Sequence, residues 1–305
     1  MSRMSVSAFG IDFQNPVMVA SGTFGYGDES NSVMPIHELG ALVVKTITLE
    51  PRKGNPPPRI AEAPAGMLNS IGLANVGIEV FLKEKLQWII REKGQCRLIV
   101  NIGGKNASEF ALLAHKLSGR EGLDAIEINV SCPNVETGGA AFFAHPEELS
   151  KVVRGCREVT DLPLIVKLSP NVTDITHLAR IAQDEGADAI SLINTVNGML
   201  VDVESRKPLL GTITGGYSGP AILPIGLYQV YRASSAVSIP VIGIGGIRCA
   251  EDALQYLLVG ASLIQVGTAN FINPVAPREV IEGIERYLSR KGIGEIGELV
   301  GSIAL

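Results

Sequence analysis

Cysteine is scarce and scattered. The four residues, Cys96, Cys132, Cys156 and Cys249, form no C-x-x-C pair. That spacing argues against a zinc site, an iron–sulfur cluster or a disulfide framework, and it fits a reducing compartment. No apolar run approaches the ~18 residues of a membrane span. The opening MSRMSVSAFGIDF lacks the apolar core of a signal peptide. These absences point to a soluble, cytoplasmic protein with no membrane association. Positive charge is also in short supply. Lys and Arg total 26 against 31 acidic residues, a net charge of −5, which argues against nonspecific nucleic-acid binding but leaves room for a local basic pocket. No G-x-G-x-x-G follows a strand, since GIGGIR at 243–248 matches only the start of that dinucleotide fingerprint. Neither Ser-His-Asp nor metal-ligand spacing is apparent, so no metal is expected. His37, His115, His145 and His177 fall in helical or loop stretches and read as structural. No linker-like shift in composition divides the chain, so residues 1–305 read as one domain.

What is present is a rhythm. Short β-rich apolar runs recur at 17–21, 41–48, 98–103, 125–132, 163–169, 189–195, 240–246 and 263–269. Helical patterns fit between them at 76–93, 107–117, 146–159, 174–185, 221–233, 251–259 and 277–290. Gly94 ends the first of these, and Thr173 or Asp174 caps the fourth. Near-continuous apolar strands alternating with helices indicate a parallel sheet covered on both faces. Eight units predict an α/β fold of the (β/α)8 TIM-barrel type. A doubly wound open sheet is the competing arrangement, because periodicity does not close a barrel. Two connections, 49–75 and 196–220, are long and rich in Gly or Pro. They predict functional loops walling the carboxyl face. The apolar tail after Arg290 packs on the barrel or on an interface.

Polar residues fall at the strand ends, where a core has no use for them: Lys45 and Thr46, Asn101, Asn129 and Cys132, Lys167, Asn194 and Thr195. A lysine inside an apolar strand is costly unless paired or solvated. Two of them, in VVKT and IVKL, favour a site over side chains snorkelling at the barrel mouth. The glycines of GIGG, Gly245 and Gly246 among them, and Gly267 beside Thr268 suit a backbone that approaches a phosphate, or simply a tight strand-to-helix turn. Asn amides carry donor and acceptor together, which suits a planar heterocycle with alternating C=O and N–H groups. Cys132 follows AIEINVS and precedes Pro133, where a strand must stop. Alone, it reads as a buried core thiol.

Taken as a set, Asn69-Ser-Ile-Gly-Leu73, Asn129-Val-Ser-Cys-Pro-Asn134, the Lys45 and Lys167 strands, SGPAI at 218–222, GIGG and VGTA resemble dihydroorotate dehydrogenase over about residues 6–273. Cys132 is similar to the class 1 enzymes, since class 2 carries Ser there. NVSCPN and ETGGAAFF resemble class 1B, the catalytic subunit of the NAD-linked type. The resemblance implies one FMN per chain, contacted by Ser21, Lys45, Thr46, Asn101, Asn129, Lys167, Ile193, Gly219, Gly245, Gly246, Gly267 and Thr268. It implies that dihydroorotate, or its product orotate, meets Lys45, Asn69, Ser70, Ile71, Gly72, Leu73, Asn129, Asn194 and Thr195. Cys132 would be the base that takes a proton from C5 while hydride leaves C6 in the oxidation step of pyrimidine (UMP) biosynthesis. Lys167 would stabilise charge on the reduced flavin.

The same resemblance implies an electron-transfer partner carrying FAD and a [2Fe–2S] cluster, a homodimer of catalytic chains within a heterotetramer, and NAD as final acceptor. An exposed apolar patch near the barrel mouth is the expected docking surface. Three other readings stay open at the level of sequence. They are a fumarate-using class 1A enzyme, a phosphate-binding barrel lyase or isomerase with a Lys167 Schiff base, and a noncatalytic flavin binder.

Overall fold

The computed structural model describes residues 2–130 and 145–304. Eight strands, each short enough to span one sheet layer, carry the apolar runs. They are β1 (Val17–Val19), β2 (Ala41–Val43), β3 (Arg97–Ile102), β4 (Ala125–Asn129), β5 (Leu164–Leu168), β6 (Ala189–Leu192), β7 (Val241–Ile244) and β8 (Ala261–Val266). Every strand pairs in parallel with its sequence neighbours. Closure comes where β8 meets β1, with Ile264 opposite Val17 and Val266 opposite Val19. The sheet is therefore a closed barrel, and the open-sheet arrangement is ruled out.

Alternation along the strands sorts side chains to two sides of the barrel wall. Val17, Leu42, Leu98, Val100, Ile126, Leu164 and Val166 pack with Phe110, Leu113, Val152, Leu178, Val230 and Leu257 of the surrounding helices. The opposite set, Met18, Ala41, Val43, Ile99, Ala125, Ile165, Ala189, Ile242 and Leu263, forms a separate cluster with Phe13. Phe13 belongs to a hairpin, Val6–Ala8 with Ile11–Phe13, that plugs the amino end of the barrel. One end is thus sealed by apolar packing, which leaves the carboxyl end for chemistry.

The helical stretches fold where their apolar spacing places them. The first runs from Ile78 to Glu92 with a π turn at Phe81–Lys85. Gly94, in the left-handed region at φ 52°, follows its end. Asp174 caps Ile175–Asp184 by accepting from the Thr176 N–H. The tail forms a short 3-10 turn, Ile296–Leu299. Ile296 and Leu299 are buried, and the Gly301 and Ile303 N–H groups donate to the Leu257 and Leu258 carbonyls. The tail therefore packs on the barrel.

The two long connections are not plain loops. They pair with each other in a four-stranded antiparallel sheet, in the order Val196–Gly198, Gly215–Ser218, Gly66–Asn69, Ile60–Ala63. This sheet joins residues far apart in the chain and stands over the carboxyl mouth.

Candidate active site

The barrel strands stop short of the predicted runs. β2 ends at Val43, β6 at Leu192 and β8 at Val266. The polar residues that follow leave the ladder and line a cavity of about 390 Å³, within the ~300–1,000 Å³ range of small-molecule sites. Ser21, Lys45, Thr46, Asn129, Lys167, Ile193, Asn194, Thr195, Gly219, Gly245, Gly246, Gly267 and Thr268 all border it. From the overlying sheet comes Asn69, and from the segment that follows it Ile71 and Leu73. A second space of about 150 Å³ continues past β7 and β8, sharing Gly219, Gly246 and Thr268 and adding Arg248. None of the four histidines borders either space.

Hydrogen bonds tie the amides together across strands. Asn129 Nδ2 donates to Thr46 Oγ1 at 3.4 Å, and Asn194 Nδ2 donates to Asn129 Oδ1 at 3.2 Å. Asn194 Oδ1 accepts from the Thr195 N–H at 2.8 Å. Asn69 is held from the other side, its Nδ2 donating to the Gly216 carbonyl at 3.2 Å. The amides are thus oriented before any ligand arrives, which is the condition for efficient positioning.

Three predicted contacts stand back from the cavity. Asn101 is fully buried beneath it and donates to Glu127 Oε1 at 2.6 Å. The Ser70 N–H and C=O are engaged with Arg59 and Asn55 of the covering loop. Gly72 has φ +72°, and a Cβ there would lie 2.6 Å from Asn55, so loop packing alone requires glycine. Cys132 lies outside the described residues.

The glycines divide by cause. A Cβ at Gly243 would meet the Tyr256 ring at 2.4 Å, and one at Gly246 would meet the Leu223 backbone at 2.7 Å. Gly267 differs. A Cβ there would touch only the Ala20 Cβ at an ordinary 3.5 Å, and Gly267 is not among the positive-φ glycines. Protein packing does not demand glycine at 267, whereas close approach of a ligand would.

Two supporting residues escaped the sequence reading. Tyr256 is fully buried, and its hydroxyl donates to the Gly245 carbonyl at 2.8 Å, with the Ile244 carbonyl at 3.1 Å. Burial pushes its phenol well above the ordinary range, so it remains a donor. Glu127 is buried at 0% exposure inside the barrel. Its Oε2 accepts from Ser191 Oγ at 2.8 Å and Gln265 Nε2 at 2.9 Å, and Lys167 Nζ lies 3.6 Å from Oε1. Lys167, with a side chain 6% exposed, is paired rather than snorkelling. Lys45 is half-buried and faces the cavity.

A closed (β/α)8 barrel with a cationic, amide-lined cavity at the carboxyl ends of its strands defines a barrel enzyme whose site takes a small polar ligand. A family model of dihydroorotate dehydrogenase matches residues 3–288. The chain belongs to the dihydroorotate dehydrogenase family. It is 50% identical over 300 residues to the dihydroorotate dehydrogenase B (NAD(+)) catalytic subunit of Pelobacter propionicus, covering 98% of each chain. The protein of the same name from Thermodesulfovibrio yellowstonii is also 50% identical, over 302 residues and 99% of each chain. Among solved structures, DHODH from Eimeria tenella in complex with ferulenol superposes with a TM-score of 0.82 at 24% identity. It covers 98% of this chain and 88% of that one, a likeness that speaks to the fold.

Proposed function

We propose that this chain oxidises dihydroorotate to orotate as the catalytic subunit of an NAD-linked enzyme, with FMN bound in the barrel mouth. The observation that carries the reading is convergence. Lys45, Asn69, Asn129, Lys167 and the adjacent Asn194 and Thr195 come from five separate segments and border one cavity beside Gly245, Gly246 and Gly267. Relatives that match nearly the full chain carry that activity in their names.

The residues fit FMN on two counts. Gly267 leaves room that packing does not need. The smaller space past β7 and β8 is bounded by Gly219, Gly246 and Arg248, a setting for a phosphate. Bound there, FMN supplies the hydride acceptor. The Asn129, Asn194 and Asn69 amides hold the planar pyrimidine through its alternating C=O and N–H groups. The Lys45 ammonium compensates the substrate carboxylate, and the Lys167 ammonium faces the charge that builds during hydride transfer. Cys132 takes the C5 proton. It follows Asn129 by three positions, so covalent reach keeps the two Cα atoms within about 11 Å.

Phe271 and Ile272, 58% and 78% exposed, sit at the rim of the two spaces. Exposed apolar groups beside a redox site support docking of an electron-transfer partner there. The wider assembly, a homodimer of catalytic chains with two partners carrying FAD and [2Fe–2S], belongs to this same reading. The test is an acceptor survey on the purified chain. The chain should be yellow and should fail to reduce NAD alone, with turnover restored by the partner. NAD reduction by the partner-free chain would overturn the subunit reading, and efficient fumarate reduction would move the protein to the self-sufficient class.

A further inference from the structure

Below the cavity floor, five strands direct polar side chains toward one point. Asn101 on β3, Glu127 on β4, Lys167 on β5, Ser191 on β6 and Gln265 on β8 are all buried. The Glu127 carboxylate is the hub, receiving Asn101, Ser191 and Gln265 at 2.6, 2.8 and 2.9 Å. An ionised carboxylate only accepts, and here each neutral neighbour donates. The fourth neighbour is the Lys167 ammonium at 3.6 Å, which also borders the cavity. Glu127 itself does not border it. A fully buried charge is expensive, and an apolar layer would have served barrel stability as well, as the layer beneath does with Ile99, Ile165 and Leu263.

We infer that Glu127 is a positioning residue that holds Lys167 at the cavity floor and, as its counter-charge, limits the positive potential Lys167 presents to the flavin, so setting how readily that flavin accepts electrons. The inference rests on FMN occupying the cavity. The three neutral donors fix the carboxylate so that it does not turn with each redox cycle. Lys167 is thereby held between a permanent anion below and a transient one above. With the permanent anion removed, the lysine would favour the reduced, more negative state more strongly.

Glu127→Gln is the direct test because the layer can absorb it. Asn101 Oδ1 and Gln265 Oε1 are acceptors without a donor among the described residues. A rotated Asn101 or Gln265 amide would accept from the new Gln NH2 group. Wild type and variant are loaded with FMN, and three quantities are read: the FMN dissociation constant, the flavin midpoint potential, and the dissociation constant for sulfite, an anion that adds to flavin N5. Failure of both proteins to bind FMN would overturn the functional reading and this inference with it. If both bind FMN, the variant should show a higher potential and sulfite binding tighter by about tenfold or more. In a Lys167→Met background the same Glu127 change should have little effect, since the two residues act as one unit. Equal potentials and equal sulfite affinities in wild type and Glu127→Gln would overturn the assignment. So would a shift that persists without Lys167. If Glu127→Gln does not fold, Glu127→Asp, which withdraws the carboxylate by one methylene, should shift both readings in the same direction by less. An unchanged pair of readings there would count equally against it.

Discussion

The Tyr256 hydroxyl, carried by the helix Ala250–Leu258, donates to the Gly245 carbonyl across 2.8 Å from the helix side of the glycine turn. The Tyr256 hydroxyl and ring occupy the space that side chains at Gly226 and Gly243 would need, since a Cβ would lie 1.9 Å from the hydroxyl oxygen and 2.4 Å from the ring respectively. The turn that borders both spaces of the site is therefore held from behind by a residue that borders neither of them.

Tyr256→Phe should keep the packing and lose the hydroxyl contacts to the Ile244 and Gly245 carbonyls. The expected cost is about 1 kcal/mol of stability, from the part-buried Gly245 carbonyl that loses its donor while the Ile244 carbonyl keeps the Ile193 N–H, with weaker FMN retention. Gly226→Ala should cost more, because the Tyr256 side chain must move as a whole to clear its hydroxyl from the new methyl. Thermal unfolding and an FMN fluorescence titration check the order. A Gly226→Ala protein as stable as Tyr256→Phe would contradict the packing account.

The thiols should react unequally. Burial pushes Cys96 and Cys156 up to about 12, leaving almost no thiolate near neutrality. Cys249 is partly exposed, and burial raises it as well. Iodoacetamide near pH 7 should spare Cys96 and Cys156, and loss of activity should follow modification of Cys132, with orotate protecting. Cys132→Ala should bind FMN and lose most dihydroorotate oxidation. Cys132→Ser should keep a trace that increases with pH. Peptide mapping by mass spectrometry reads the first outcome and single-turnover rates the second. Wild-type turnover in Cys132→Ala would remove the base assignment.

Lys45 contributes a half-buried cation to the cavity. Lys45→Ala should raise the KM for dihydroorotate by about tenfold or more, the loss expected for one charged hydrogen bond. FMN content should be less affected. An unchanged KM would place the substrate carboxylate elsewhere.

The last helix, Ala276–Lys291, is strapped to the β1–β2 connection by a two-pronged pair. Arg278 Nε and Nη2 donate to Glu38 Oε2 and Oε1 at 2.6 and 2.7 Å. The guanidinium holds the Glu38 carboxyl below the usual carboxylate range. A lowered folded-state value means the stabilisation is present above the unfolded carboxyl value and is lost as pH falls through the folded one. Both side chains are about a third exposed, so screening limits the pair to about 0.5–1 kcal/mol. Arg278→Met should lower the melting temperature at neutral pH, with the gap closing in acid. A gap that stays constant with pH would show that packing, not charge, is what the variant lost.

Much of this architecture was legible in the chain. The eight apolar runs specified the barrel strands, and of the polar residues that end them Lys45, Thr46, Asn129, Lys167, Asn194 and Thr195 border the cavity. Closure was not legible, because the Ile264–Val17 pairing joins the two ends of the chain and no local pattern reports it. The sheet over the mouth was hidden for the same reason: Asn69 pairs with Gly216, and its strands are three or four residues long with several glycines. Glu127 was masked by the alternation rule itself. Polar residues between apolar ones suggest a solvent face, but both faces of a barrel strand are buried, and the polar set of β4 looks into the lumen. That leaves Asn101 bonded to Glu127, one layer below its expected place. Lys167 was the available clue, since a buried lysine demands a partner and Glu127 is the carboxylate it found.

Anaerobic titration of the FMN-loaded chain with dihydroorotate, in the absence of any other acceptor, tests the central claim most directly. The flavin absorbance should bleach in proportion to added substrate, with one orotate formed per flavin reduced. A loaded, folded chain whose flavin stays oxidised in excess dihydroorotate would contradict it.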